Sequence, residues 1–200
     1  MIDIDIALHD DALRMTMQAA PRQTLAAAKA AMRRTAVAAG EELRKQIKTV
    51  SFLKGGDLKG ALAKPIIRES PRGVEAEVRV SGKKIPLDRF RLKPRRITAR
   101  KGKRSTQWQE PSYQIGPREK VKRWSEEGGR KGFIMRTRNG GLMLMERYGP
   151  RRGKVWRLYG ITPQYFAAFD VTKAAVMARA RTVFPQRLRH ELLHRLGKMA

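Results

Sequence analysis

The chain has 200 residues, enough for one ordinary domain with a core of its own. Its 45 Lys and Arg against 18 Asp and Glu give a formal net charge of +27, far above the magnitude of about 2 to 8 that solubility asks for, which indicates a polyanionic partner. The absence of cysteine excludes disulfides, thiol nucleophiles and thiolate metal sites. No run of 18 apolar residues occurs, and the first residues, MIDIDIALHDDALR, are acidic where a secretory leader is basic; this predicts a soluble chain made in the cytoplasm, with no membrane partner.

In chain order, residues 19–50 predict a long Ala-rich helix. Leu25, Ala28, Met32, Ala36, Ala39, Leu43 and Ile47 step by three or four and form one apolar stripe, and Pro21 suits the first turn. Small residues on that stripe favour close packing over reading of DNA. The stretch LKGGDLKG, Leu53 to Gly60, ends the helix. Pro65 to Val80 predicts a hairpin. In its second arm Val74, Ala76, Val78 and Val80 alternate with Glu75, Glu77 and Arg79, the period of a half-buried strand.

Residues 81–160 hold 24 Lys or Arg and 6 Asp or Glu, so most of the net charge lies there. Within them, RFRLKPRRITARKGKR places Arg89, Arg91, Lys93, Arg95, Arg96, Arg100, Lys101, Lys103 and Arg104 in one block with no acidic residue. Such a block repels itself and predicts an extended basic arm that an anion orders. Its arginines suit bidentate phosphate contacts. Ser112 to Ile115 returns to strand, and GFIMRTRNGGLMLMERYG predicts a second hairpin about Asn139-Gly140, whose usual turn needs positive φ at both residues. KVWRLYG adds a further strand. Trp108, Trp124 and Trp156, in a chain poor in aromatics, read as core or interface anchors in preference to base-stacking platforms.

Residues 161–196 predict C-terminal helices capped by Thr162 or Asp170. Pro185 is expected to break or kink them and leave Gln186 to Leu196 as a short piece with Leu188, Leu192 and Leu196 on one stripe. Within it, His190 to His194 spell HELLH, which matches the zinc-protease pattern H-E-x-x-H. A third ligand is lacking: Ala200 stands where the extended pattern has histidine, and no carboxylate follows. The reading is therefore a solvated face for His190, Glu191 and His194, with no catalytic residue, metal or cofactor. Asp88, Glu110, Glu119, Glu126, Glu127 and Glu146 show no clustered spacing and read as charge partners.

The fold class expected is α+β in a single domain over residues 1–200: a small, mostly antiparallel sheet in 65–160 with the basic arm at 89–104, packed by the helix at 19–50 and the helices in 161–196. In order, the Ala-rich helix, Ile85-Pro86-Leu87-Asp88-Arg89-Phe90, the basic arm, Gly132-Phe133-Ile134, the Asn139-Gly140 turn, Met145-Glu146-Arg147 and the basic helix RARTVFPQRLRHELLHRL resemble the minor tail protein Z family of long-tailed bacteriophages and prophages. The stretch Arg118 to Arg130 has no counterpart in that pattern. The resemblance implies a structural, non-enzymatic tail-completion protein of the virion. It would form a ring, expected to be hexameric, at the neck, with the tail terminator, tail tube or other neck proteins and double-stranded DNA in the tail lumen as partners. The nine cations from Arg89 to Arg104 are the residues expected to meet that DNA, or an acidic neighbour, without regard to sequence. A stand-alone nucleic-acid-binding protein of ribosomal or chromatin type fits the same size and charge.

Overall fold

Alanine spacing produces the first long element. In the computed structural model, which describes residues 2–7, 21–70, 73–95, 110–123, 132–148 and 153–196, helix α1 runs Pro21–Val50. Its buried positions include Ala27, Ala28, Ala31, Met32, Ala36, Ala39, Leu43 and Ile47, stepping by one, three and four, while Leu25 is half-buried. Thr35 is buried on the same stripe because its hydroxyl donates to the Ala31 carbonyl at 2.9 Å. The described residues form an α+β fold, and the chain divides into two compact units. The first comprises 1–47, 58–82 and 163–200; the second comprises 48–57 and 83–162. The second unit holds 26 Lys or Arg and 7 Asp or Glu in its sequence, against 19 and 11 in the first, so +19 of the +27 belongs to it.

In the first unit β2 (Ile66–Ser70) and β3 (Gly73–Val80) make the expected hairpin. Val74, Ala76, Val78 and Val80 are buried. Glu77, expected on the wet face, is buried as well. Arg68 reaches it at 2.9 Å and Arg79 donates a hydrogen bond to it, so the charge is matched where it is desolvated. An unexpected strand, β1 (Ile2–Ala7), pairs antiparallel with the other edge of β3, from Ile2 opposite Val80 to Ala7 opposite Glu75, and the sheet order is β1-β3-β2. Helix α1 meets this unit through an ion pair from Lys29 to Glu69 in β2 and through Gly40, which lies against Leu62.

Helices α2 (Pro163–Ala167) and α3 (Asp170–Leu196) complete the first unit, with the rings of Tyr165, Phe166 and Phe169 meeting edge to face. The break expected at Pro185 does not occur, and α3 runs through it. Proline removes one donor to the Arg181 carbonyl, a loss that water can make good because Arg181 and Pro185 are exposed. Val183, Phe184 and Leu188, buried on either side, hold the helix in place. Leu188 is buried and Leu192 half-buried. No helix among the described residues is long and apolar enough to cross a membrane.

The second unit contains two further sheets, so the single sheet expected from the two hairpins is not formed: β2-β3 belongs to the first unit's sheet and the Asn139-Gly140 hairpin to another. β4 (Arg91–Lys93), β5 (Ser112–Gln114) and β6 (Lys122–Arg123) form one, and β7 (Gly132–Arg136), β8 (Leu142–Arg147) and β9 (Val155–Arg157) form the other, both antiparallel. The β7–β8 hairpin turns as expected at Asn139-Gly140 but by a different geometry. Gly140 N–H donates to the Thr137 carbonyl at 3.0 Å, and only Gly140 has positive φ, +81°. Arg138 and Asn139 thus centre the turn, and glycine supplies the left-handed residue that follows, the three-residue form of hairpin loop.

Candidate nucleic-acid interface

The register of β4, β5 and β6 sorts their side chains by face. Leu92 lies opposite Tyr113, and both are buried. Side chains alternate along a strand, so the neighbours of this pair point the other way. These are Arg91 opposite Gln114, and Lys93 opposite Ser112, which is in turn opposite Arg123. A cavity of about 810 Å³ runs along that face, lined by Arg91, Lys93, Pro94, Arg95, Glu110, Ser112 and Arg123. Four cations face one carboxylate there. A second cavity of about 570 Å³ shares Arg91 and Arg95 and is bounded also by Phe52, Lys54, Asp57 and Arg89.

Each described cation of the expected basic arm has a distinct place. Arg91 lies over the Phe52 ring, 5.5 Å from its centroid, a cation–π contact that orients the guanidinium. Arg89 meets Asp57 at 3.4 Å, and Asp57 also accepts the Lys54 N–H at 3.0 Å, so part of the positive charge of Arg89 is answered within the protein. Lys93 and Arg95 are exposed. Arg96, Arg100, Lys101, Lys103 and Arg104 lie outside the described residues. The arm is therefore not featureless at its start: Arg91 to Lys93 is a strand anchored by buried Leu92. Arg123 was not among the expected contacts. Its position follows from pairing with Ser112, and only the adjacent basic pair Lys122-Arg123 hinted at it.

In the same unit an ion pair joins the IPLDRF segment to β9. Arg157 Nε donates to Asp88 Oδ1 at 3.0 Å and Nη2 to Oδ2 at 2.6 Å, a bidentate pair between side chains that are 28% and 4% exposed. The hydrogen bond to Asp88 raises the Arg157 pKa above its ordinary value, against the lowering effect of partial burial. Backbone bonds follow the same seam: Leu87 N–H to the Leu158 carbonyl at 3.0 Å, Ile85 N–H to Ile161 at 3.0 Å, and Gly160 N–H to Ile85 at 2.7 Å. Leu158 N–H then donates to Leu144 at 3.0 Å. The segments IPLDRF, LMLMER and VWRLYG are thus one assembly, and buried Leu87 and Phe90 close its core.

In the first unit HELLH does not present a metal site. Glu191, expected on a solvated face, is buried; it meets Arg34 of α1 at 3.0 Å and Arg195 at 3.8 Å, while His190 and His194 are exposed. The carboxylate that the pattern would use as general base instead ties α3 to α1, and two neighbouring guanidinium groups oppose a dication. Among the described residues no group of three His, Asp or Glu is placed to hold a metal ion. Glu191→Gln is expected to lower stability by about 1–2 kcal/mol, whereas His190→Ala and His194→Ala stay within about 0.5 kcal/mol of the parent, by urea unfolding.

Trp108 and Trp124 lie outside the described residues. Trp156 is 60% exposed and is not a core residue, because it lies on the open face of the edge strand β9. Comparisons of the chain with known protein families, curated proteins and solved structures return no match.

Proposed function

We propose that the chain is a structural protein of a long-tailed phage particle, of the minor tail protein Z kind. In this reading it completes the head-proximal end of the tail as a ring at the neck and grips the genome end through phosphate. What carries the reading is the cationic face of the β4-β5-β6 sheet, with Arg91, Lys93, Arg95 and Arg123 around one groove. Its arginines and lysine suit neutralisation of a phosphate backbone, a contact that carries no sequence information. The concentration of +19 in one unit draws duplex DNA from a distance set by salt.

Duplex affinity measured against salt tests this. Each phosphate neutralised contributes about −0.9 to the slope of log K on log salt. Replacing Arg91, Lys93, Arg95 and Arg123 together with Gln is expected to flatten the slope by up to about 3.6, equally for unrelated sequences. A companion replacement of Arg95, Arg96, Arg100 and Lys101 with Gln tests the rest of the arm in the same way. An unchanged slope removes these residues from the interface. Recovery of the chain with host RNA or chromatin, and not with purified virions, would assign the same face to a cellular nucleic-acid-binding protein.

A further inference from the structure

The second unit carries an aromatic feature that phosphate contact does not use. Trp156 is 60% exposed and Tyr148 59% exposed, and both line one cavity of about 540 Å³ together with Glu146, Lys154 and Leu158. Glu146 is directly opposite Trp156 across β8 and β9, and Tyr148 N–H donates to the Lys154 carbonyl at 2.9 Å, so the strand pairing sets the spacing of the group. Leu158 is buried and forms the floor. We propose that this is a stacking site for unpaired nucleotides, with Trp156 and Tyr148 as platforms for bases and Lys154 as a contact to the phosphate between them. Exposed Trp and Tyr also serve as anchors in protein interfaces, so the choice of occupant rests on charge. This cavity offers two exposed π faces and a lysine, in a unit whose net charge of +19 selects anionic chains. Glu146 adds a carboxylate that can accept from a base N–H. The site goes beyond duplex contact, since paired and stacked bases cannot enter it.

The test measures binding of the full chain to a short fluorescein-labelled oligothymidylate and to a blunt duplex across a range of salt. Trp156→Ala is expected to weaken the oligothymidylate by about fivefold or more at every salt concentration with an unchanged salt slope, and to leave the duplex within about twofold. Trp156→Tyr, which keeps a π face, should retain most of the affinity, and Lys154→Gln should lower the single-strand slope by about one. The proposal is overturned if the unaltered chain does not bind the oligothymidylate, if Trp156→Ala weakens both ligands equally or neither, or if the tyrosine variant is as weak as the alanine variant. Unchanged DNA binding with loss of Trp156→Ala protein from assembled particles would also overturn it and make the cavity a protein seat.

Discussion

Arg157→Ala is expected to destabilise the second unit by about 3–5 kcal/mol, because it leaves the Asp88 carboxylate, 4% exposed, without the two hydrogen bonds that compensate its burial. The reverse change is expected to cost less. Asp88→Ala strands a guanidinium that is 28% exposed and can turn its charge to water. Replacing both together, Asp88→Leu with Arg157→Met, should recover much of the loss, since an apolar pair of similar volume carries no desolvation cost. All three tryptophans lie between residues 83 and 162, so intrinsic fluorescence in a urea titration reports this unit. Arg157→Ala within about 1 kcal/mol of the parent, or no recovery in the double variant, would remove the pair from its assigned role.

Gly116→Ala is expected to cost about 3 kcal/mol or more, at the upper end of what overpacking produces. A side-chain carbon at Gly116 would sit 2.3 Å from the carbonyl oxygen of Val50, the last residue of α1. The oxygen is backbone and a Cβ is fixed by the backbone that bears it, so no rotamer change can relieve the overlap. The neighbouring bond from Phe52 N–H to the Ile115 carbonyl, 2.9 Å, would have to stretch with it. The fluorescence midpoint in urea checks this as well. Gly56→Ala, where the added carbon meets nothing within 4 Å, serves as the neutral comparison.

Short-range patterns were legible in the sequence, and long-range partners were not. Helix α1 is written in the three-and-four spacing of Ala28 to Ile47, and the hairpins in Val74 to Val80 and Asn139-Gly140, because each signal lies within a few residues of the structure it specifies. The alternation IDIDIA was equally visible. It became β1 only by pairing with β3, some seventy residues later. Glu77 and Glu191 read as solvated because charge is normally outside; Arg79 and Arg195 stand at same-face spacing from them, but Arg68 and Arg34, which complete their ion pairs, come from other elements. Asp88 and Arg157 are 69 positions apart, so their pair could be seen only in three dimensions. On the cationic face of β4 to β6, the basic block held Arg91, Lys93 and Arg95 within five residues, whereas Arg123 required the register.

The route of the chain has a consequence for how its charge is carried. The first unit's chain departs after Gly82 and resumes at Pro163, and a methyl placed on Gly82 would come within 3.0 Å of the Pro163 ring. Eighty residues, 83–162, are therefore a closed excursion whose two ends already touch. Closing a loop costs only about 0.6 kcal/mol more for each doubling of its length, so insertions there place little strain on the residues that anchor them. Residues inserted or removed within this excursion are expected to leave the pairing of β1 to β3 unchanged.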